Sequence, residues 1–300
     1  MEIIVVQTDW VDKMAGKLMN VDENEFQKFY NSKPFLLTHR LTDHPLLQLD
    51  QLEQLAHRLG PQSVLHRVGK VESNTNFDRC HLNHPHTQSL SESFADMNRA
   101  NTVITINTPE NDEVYRPLIE EIIDEIKAYS EPIDPGLNWY ASYIFISSPG
   151  TLTPYHMDRE MNFLFQLKGN KRALLWDPCD HDVMQPEEVD QLLGDWGKTR
   201  PQYRPELDQK AMTFTLKPGD VVHHPFIAPH LIHCGDEFSI SLAVTFRTKG
   251  SDRLTRLHKV NYQLRKLGFR PHPIGASKIR DRAKYLTLGN FRHLAERLKP

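Results

Sequence analysis

Cysteine is scarce. Cys80, Cys179 and Cys234 are odd in number, far apart in the chain and in no C-x-x-C arrangement. A disulfide framework and a zinc ribbon are thereby excluded, and a reducing compartment fits. Long apolar runs are missing too: none approaches the ~20 residues that cross a bilayer, which excludes a membrane span. The opening MEIIVVQTDW reaches Asp9 too soon to supply the apolar core of a secretory leader, so the expected address is cytoplasmic. Internal repeats and low-complexity segments are also absent. What remains is a globular composition, 39% hydrophobic and 25% charged over 300 residues. That length builds one large domain or two ordinary ones without needing staples.

The net charge of −3 hides an asymmetry. From Arg247 to Pro300 there are 15 Lys and Arg against 3 Asp and Glu, which leaves 21 against 36 for residues 1–246. Such a basic tail is either a surface for nucleic acid or another acidic partner, or a helical hairpin with a solvated basic face packed on the acidic body or on a second subunit. The hairpin is favoured, because Leu254, Leu257, Val260, Leu264 and Leu267 recur among the basic residues at helical spacing.

Helical and strand periods divide the chain. Residues 22–59 read as two helices around the strand KPFLLTHRL, the second helix stopped by Gly60, and residues 61–100 as polar loops with short strands. From Asp112 to Tyr129 the residues Val114, Leu118, Ile119, Ile122, Ile123 and Ile126 form one helical stripe. After Pro132–Gly136 the period shortens to about two: WYASYIFISSPG, NFLFQLKG, KRALLWDP, AMTFTLKPGD, DVVHHPF and SISLAVTFRT are short runs bounded by Gly, Pro, Asn and Asp. Many short strands with turn punctuation predict a mainly β protein with flanking helices, a jelly roll being the first choice. Residues 180–209, with PEEVDQLLGDW, read as an insertion.

The chemistry centres on TPYHMDREMNFLFQLKGNKR, residues 153–172. On a strand His156 and Asp158 project from one face, offering an imidazole and a carboxylate to one cation. The triplet alone is weak, since about two H-x-[D/E] triplets are expected by chance among 16 histidines. Two histidines and one carboxylate occupy one face of an octahedral ferrous ion and leave the other positions open, so a second, distant histidine is needed. His223, His224, His230 and His233 are the candidates. His230, opening a strand after the turn Ile227-Ala228-Pro229, is the choice, with His233 second; strand alternation puts His233 on the opposite face. His223 and His224 are read as strand residues hydrogen-bonded near the site.

Residues 140–248 resemble the cupin-like branch of the jumonji-C oxygenases, which use Fe(II) and 2-oxoglutarate and include the asparaginyl hydroxylase acting on hypoxia-inducible factor. The resemblance rests on Thr153, Pro154, His156, Asp158, Asn162, Lys168, Gly169 and Lys171, then on PGDVV, on Pro225 five residues before His230, and on SISLAVTF. A weaker match extends over residues 22–250. It implies a double-stranded β-helix core and an oxygenase domain, taken over residues 1–250, and the charge asymmetry sets off a basic helical element at 251–300. His156, Asp158 and His230 would be the iron ligands, while Thr153 and Lys171 would hold the distal carboxylate of 2-oxoglutarate. Asn162 would hydrogen-bond the cosubstrate or a water on the iron. The implied reaction is hydroxylation of a protein side chain or small molecule by dioxygen, with release of succinate and carbon dioxide. Lysine at 171 also has a plainer reading, a residue flanking a hairpin turn at Gly169-Asn170 with its ammonium in water, and Lys168 is taken as solvent-facing. The chain departs from the pattern at Leu231, where relatives often carry an aromatic, and at Thr245, where the hypoxia-factor enzyme has asparagine; that enzyme's cosubstrate tyrosine has no clear counterpart.

Two rivals differ in class. One is a metal-binding cupin acting as a sensor or non-oxidative catalyst, which Lys171 argues against. The other is a nucleic-acid regulator, for which no zinc-finger or helix-turn-helix signature is present. A homodimer through the C-terminal helices is the expected protein partner.

Overall fold

In the computed structural model, residues 16–195 and 200–286 are described. The opening segment MEIIVVQTDW, four residues of the insertion and the last 14 residues of the basic tail lie outside them.

The N-terminal part alternates as its periodicity predicts. Strand β1 (Met19–Asn20) leads into α1 (Glu23–Phe29), where the Asp22 side chain accepts from the backbone N–H groups of Asn24 and Glu25. Then come β2 (Phe35–His39) and α2 (Leu49–Leu59), the latter ended by Gly60 at φ +75°, a conformation that costs glycine little. The polar stretch that follows holds β3 (Val64–Val68) and two short helices, α3 (Cys80–Asn83) and α4 (Leu90–Ala95). Strand β4 (Thr102–Asn107) precedes α5 (Arg116–Ser130), which buries Leu118, Ile119, Ile122, Ile123 and Ile126. Val114 falls before the helix begins and is exposed, so it is not part of the stripe.

From here eight strands trade places between two sheets: β5 (Leu137–Ser147), β6 (Leu152–Met157), β7 (Met161–Lys168), β8 (Lys171–Leu175), β9 (Met212–Leu216), β10 (Asp220–His224), β11 (Pro229–Cys234) and β12 (Ser239–Thr248). The larger sheet runs β1-β2-β10-β7-β12-β5-β4-β3 and the smaller β6-β11-β8-β9, all pairs antiparallel. This is the expected double-stranded β-helix.

Strand β7 explains why the core strands read as almost continuously apolar. Phe163 and Phe165 join the main core, which the helices cover, while Leu164 packs between the sheets with Ala173, Leu175, Leu216, Val222, Ile232 and Ala243. Both faces are buried. One expectation needs correcting: Gly169-Asn170 does not close a hairpin, because β7 belongs to the larger sheet and β8 to the smaller. Gly169 sits at φ +66°, and a Cβ there would lie 2.4 Å from the Phe238 carbonyl oxygen. The chain therefore turns sharply across the barrel mouth and sends Lys171 inward rather than into water.

Helix α6 (Pro186–Gly194) lies within the insertion, and α7 (Lys249–Lys266) packs on it. Of the basic-tail stripe, Leu257 and Val260 are buried, whereas Leu254 and Leu267 are exposed. Residues 278–286 form a second helical stretch, and the Arg256 guanidinium lies 4.5 Å from the Tyr285 ring centre, so the tail folds back as a hairpin. Among the described residues no helix is long and apolar enough to cross a membrane.

Candidate metal centre

Register brings the two histidines together. His156 on β6 and His230 on β11 are direct cross-strand partners, so their side chains leave the same face of the smaller sheet, with ring centres 4.0 Å apart. Asp158 lies just past the end of β6 rather than on it, and still points back. Its two oxygens stand 3.9 Å from His156 Nε2 and 3.9 Å from His230 Nε2. Ligand atoms of all three lie within 4.8 Å of one another. A facial set about 2.1 Å from one ion would stand roughly 3 Å apart, so the two histidine–aspartate pairs need to close by about 1 Å.

The tautomers suit a cation. His156 Nδ1 donates to the Pro154 carbonyl at 2.8 Å and His230 Nδ1 to the Ala228 carbonyl at 3.0 Å. Each bond leaves Nε2 with its lone pair toward the centre. Burial holds the pKa of both imidazoles below the usual histidine range, and at His156 the His230 ring adds to it. Neutral rings are the form that binds metal. The Phe77 ring is stacked on His156 with centroids 3.6 Å apart and planes 7° apart, which screens that ligand from water.

The triad opens into a cavity of about 420 Å³ that Thr153, Asn162 and Lys171 also line. The six site residues expected from the sequence thus meet in one place. Lys171, at the start of β8, is 4% exposed, and its ammonium lies 5.9 Å from the centre of the Phe145 ring. No carboxylate among the described residues pairs with it, and burial pulls its pKa below 10.5. A buried cation without an anion is costly, and a bound dicarboxylate would offset that cost. The donor set and this countercharge therefore fit a ferrous ion with 2-oxoglutarate.

Comparison with known families identifies the domain. A model described as a cupin-like domain matches residues 23–252. The chain belongs to the cupin-like domain family. That bears out the resemblance to the cupin-like jumonji-C branch. Among solved structures, Escherichia coli YcfD is 16% identical with a TM-score of 0.53, covering 86% of this chain and 62% of that one. The chain thus spans under two thirds of that protein's length, and the likeness shows a shared fold. The E. coli ribosomal oxygenase YcfD in complex with cobalt and 2-oxoglutarate matches at 16% identity and a TM-score of 0.48, covering 87% and 61%.

Within this cupin-like domain the remaining candidates separate clearly. His233 follows a register shift between His230 and Ile232 and is half-buried outside the triad. His223 does hydrogen-bond near the site: its Nδ1 donates to the Asn162 carbonyl and its Nε2 accepts from the Asn31 N–H. His224 does not fit that expectation, since neither ring nitrogen has a partner among the described residues. Leu231 turns into the main core, and Thr245 lines the cavity while donating to the Ala141 carbonyl at 2.9 Å. Lys168 is exposed, as expected.

Several cavity residues were not singled out by sequence. Tyr143 and Phe145 follow two-residue alternation along β5, a signal that was present; burial and the Asp158 charge push the Tyr143 phenol up to about 12. Glu160, next to the triad loop, is pushed up to about 7 by burial and by Asp158. Arg67 and Phe77 come from the polar stretch before β4, where no periodicity marks them.

Proposed function

We propose that the chain is an Fe(II)- and 2-oxoglutarate-dependent dioxygenase that hydroxylates a protein side chain or small molecule, releasing succinate and carbon dioxide. The observation that carries this reading is the convergence of His156, Asp158 and His230 at one end of a cavity in which Lys171 presents a buried, unpaired ammonium. The three ligands would hold iron, which when bound supplies redox chemistry with dioxygen that side chains lack. Lys171 and Thr153 would bind the distal carboxylate by charge and hydroxyl, and the Asn162 amide would hydrogen-bond the cosubstrate or a water on the iron. Phe77, Tyr143 and Phe145 exclude water around them. Pro154 and Ala228 orient the imidazoles through their carbonyls.

The test is succinate production from 2-oxoglutarate with ferrous iron. The purified chain should turn over slowly without a prime substrate, and His156→Ala or Asp158→Ala should remove that turnover. No succinate from the wild type, in the presence of bound iron, would defeat the reading.

The same proposal takes residues 1–250 as the oxygenase body, acting in the cytoplasm, and 251–300 as a contact between two copies. Its support is the tail's uncovered apolar side chains: Leu267 is 72% exposed, Phe269 62%, Ile279 83% and Leu286 60%. Exposure of that order across one segment is unusual for a surface facing only water.

A further inference from the structure

Two buried polar groups beside the triad find no partner among the described residues: Asn162 Oδ1 and both ring nitrogens of His224. Asn162 is 4% exposed and His224 2%. They are direct partners across β7 and β10, so their side chains leave the same face of the sheet, about 5 Å apart at Cβ. The His224 ring stands edge-on to His230, centroids 4.5 Å apart. Its nitrogens do not join the group formed by His156, Asp158 and His230, so His224 adjoins the triad without completing it.

A buried donor or acceptor left unmade costs about 1–3 kcal/mol, and native folds keep few of them. Valine or leucine at 224 would fit a core strand without that cost. The polar ring therefore calls for a ligand, and the chemistry narrows which. A neutral imidazole offers one N–H and one lone pair. Asn162 Oδ1 offers only lone pairs. With the imidazole lone pair and the amide oxygen turned toward each other, the space between them repels an anion and calls for a hydrogen-bond donor. One water molecule satisfies both, donating to the amide oxygen and bonding the imidazole.

We propose that His224 is a positioning residue: through a water lodged between its ring and Asn162 Oδ1, it holds the Asn162 amide with the Nδ2 end toward the cavity. Asn162 lines that cavity, and the amide hydrogens then face a carboxylate of the cosubstrate. The reversed amide would present a lone pair to that carboxylate instead. The inference rests on the reading of the site as a 2-oxoglutarate pocket, and extends it to a residue outside the ligand set.

The test is anaerobic calorimetry with Co(II), then with 2-oxoglutarate, on the wild type, His224→Val, His224→Gln, Asn162→Ala and the double variant H224V/N162A. The wild type should bind both. H224V should keep its Co(II) affinity within about twofold and lose about tenfold in 2-oxoglutarate affinity, the size of one hydrogen bond. H224Q, whose amide again holds a water, should recover most of the loss. In the N162A background H224V should change the affinity by less than about twofold, because no amide remains to orient. Unchanged 2-oxoglutarate affinity in H224V would overturn the proposal, as would a full tenfold loss on top of N162A. Loss of Co(II) binding in both H224V and H224Q would overturn it by assigning His224 to the metal site itself. If H224V does not fold, His224→Met carries the same comparison. A wild type that binds neither Co(II) nor 2-oxoglutarate would defeat the underlying reading before any variant is compared.

Discussion

At the scale of single residues, Lys171 carries the sharpest consequence. Its ammonium is buried without a counterion, so the apo protein bears a desolvation cost that methionine would remove. Lys171→Met should raise apo stability by roughly 1–3 kcal/mol while abolishing 2-oxoglutarate binding, a pairing that a solvent-facing lysine would not produce. The sign with pH follows from a folded pKa held below 10.5. In that interval the unfolded chain binds the proton more tightly, so wild-type stability rises with pH. The gap between K171M and wild type should narrow as pH climbs toward 10.5, measured by denaturant unfolding without ligand. A constant gap would mean the ammonium is solvated after all. The residue was legible because charge, hydroxyl and spacing in the 153–172 segment combine into one pattern. His224 was not, because an unpartnered imidazole is defined by its surroundings and looks the same in sequence as the satisfied His223 beside it.

At the scale of elements, α6 and α7 are joined through one buried carboxylate. Asp190 is 1% exposed and accepts from His258 Nδ1 at 2.7 Å and from Arg265 Nε at 2.7 Å. Helix α6 in turn accepts, through the Leu192 carbonyl, from Nε of Arg159, the residue after Asp158. Asp190→Ala strands two donors and loosens the helix that steadies the metal loop. Because Arg265 keeps its contact with Glu187 and is partly exposed, the cost should be near 2 kcal/mol, below that of a fully buried pair. Calorimetric Co(II) affinity should fall along with the melting temperature; unchanged Co(II) affinity would disconnect the helices from the site. These helices and the core strands could be read from their periods. The crossing of β7 to β8 between sheets could not, because a Gly-Asn pair after an apolar strand looks the same whether the chain doubles back or changes layer. The loop that carries Phe77 is invisible for a related reason: its place is set by stacking on His156, a long-range contact.

At the scale of the whole molecule, buried neutral histidines set an acid limit. His223 Nε2 accepts from the Asn31 N–H and His44 Nδ1 from the Leu46 N–H, bonds that ring protonation would abolish. Burial pushes His223 down to about 3 and His44 to about 4. Folded pKa values below the unfolded 6.5 mean that the stability is fully present above pH 6.5 and is lost as pH falls through that value toward the folded ones. At pH 5 each contributes a loss of about 2 kcal/mol, roughly 4 together, and urea unfolding at pH 7 and pH 5 should show it. Equal stabilities at the two values would place these rings in water.

Assembly belongs to the same scale. Leu267, Phe269 and Ile279 lie on a tail whose charge is strongly basic, so repulsion between like surfaces must be outweighed by apolar burial if two copies associate. Salt should therefore strengthen the dimer by screening that repulsion. Sedimentation should show a dimer that tightens with added salt, and Leu267→Asp with Ile279→Asp should return it to monomer without changing succinate turnover. A wild type that sediments as a monomer at every salt concentration would leave these exposed side chains without a second copy to cover them.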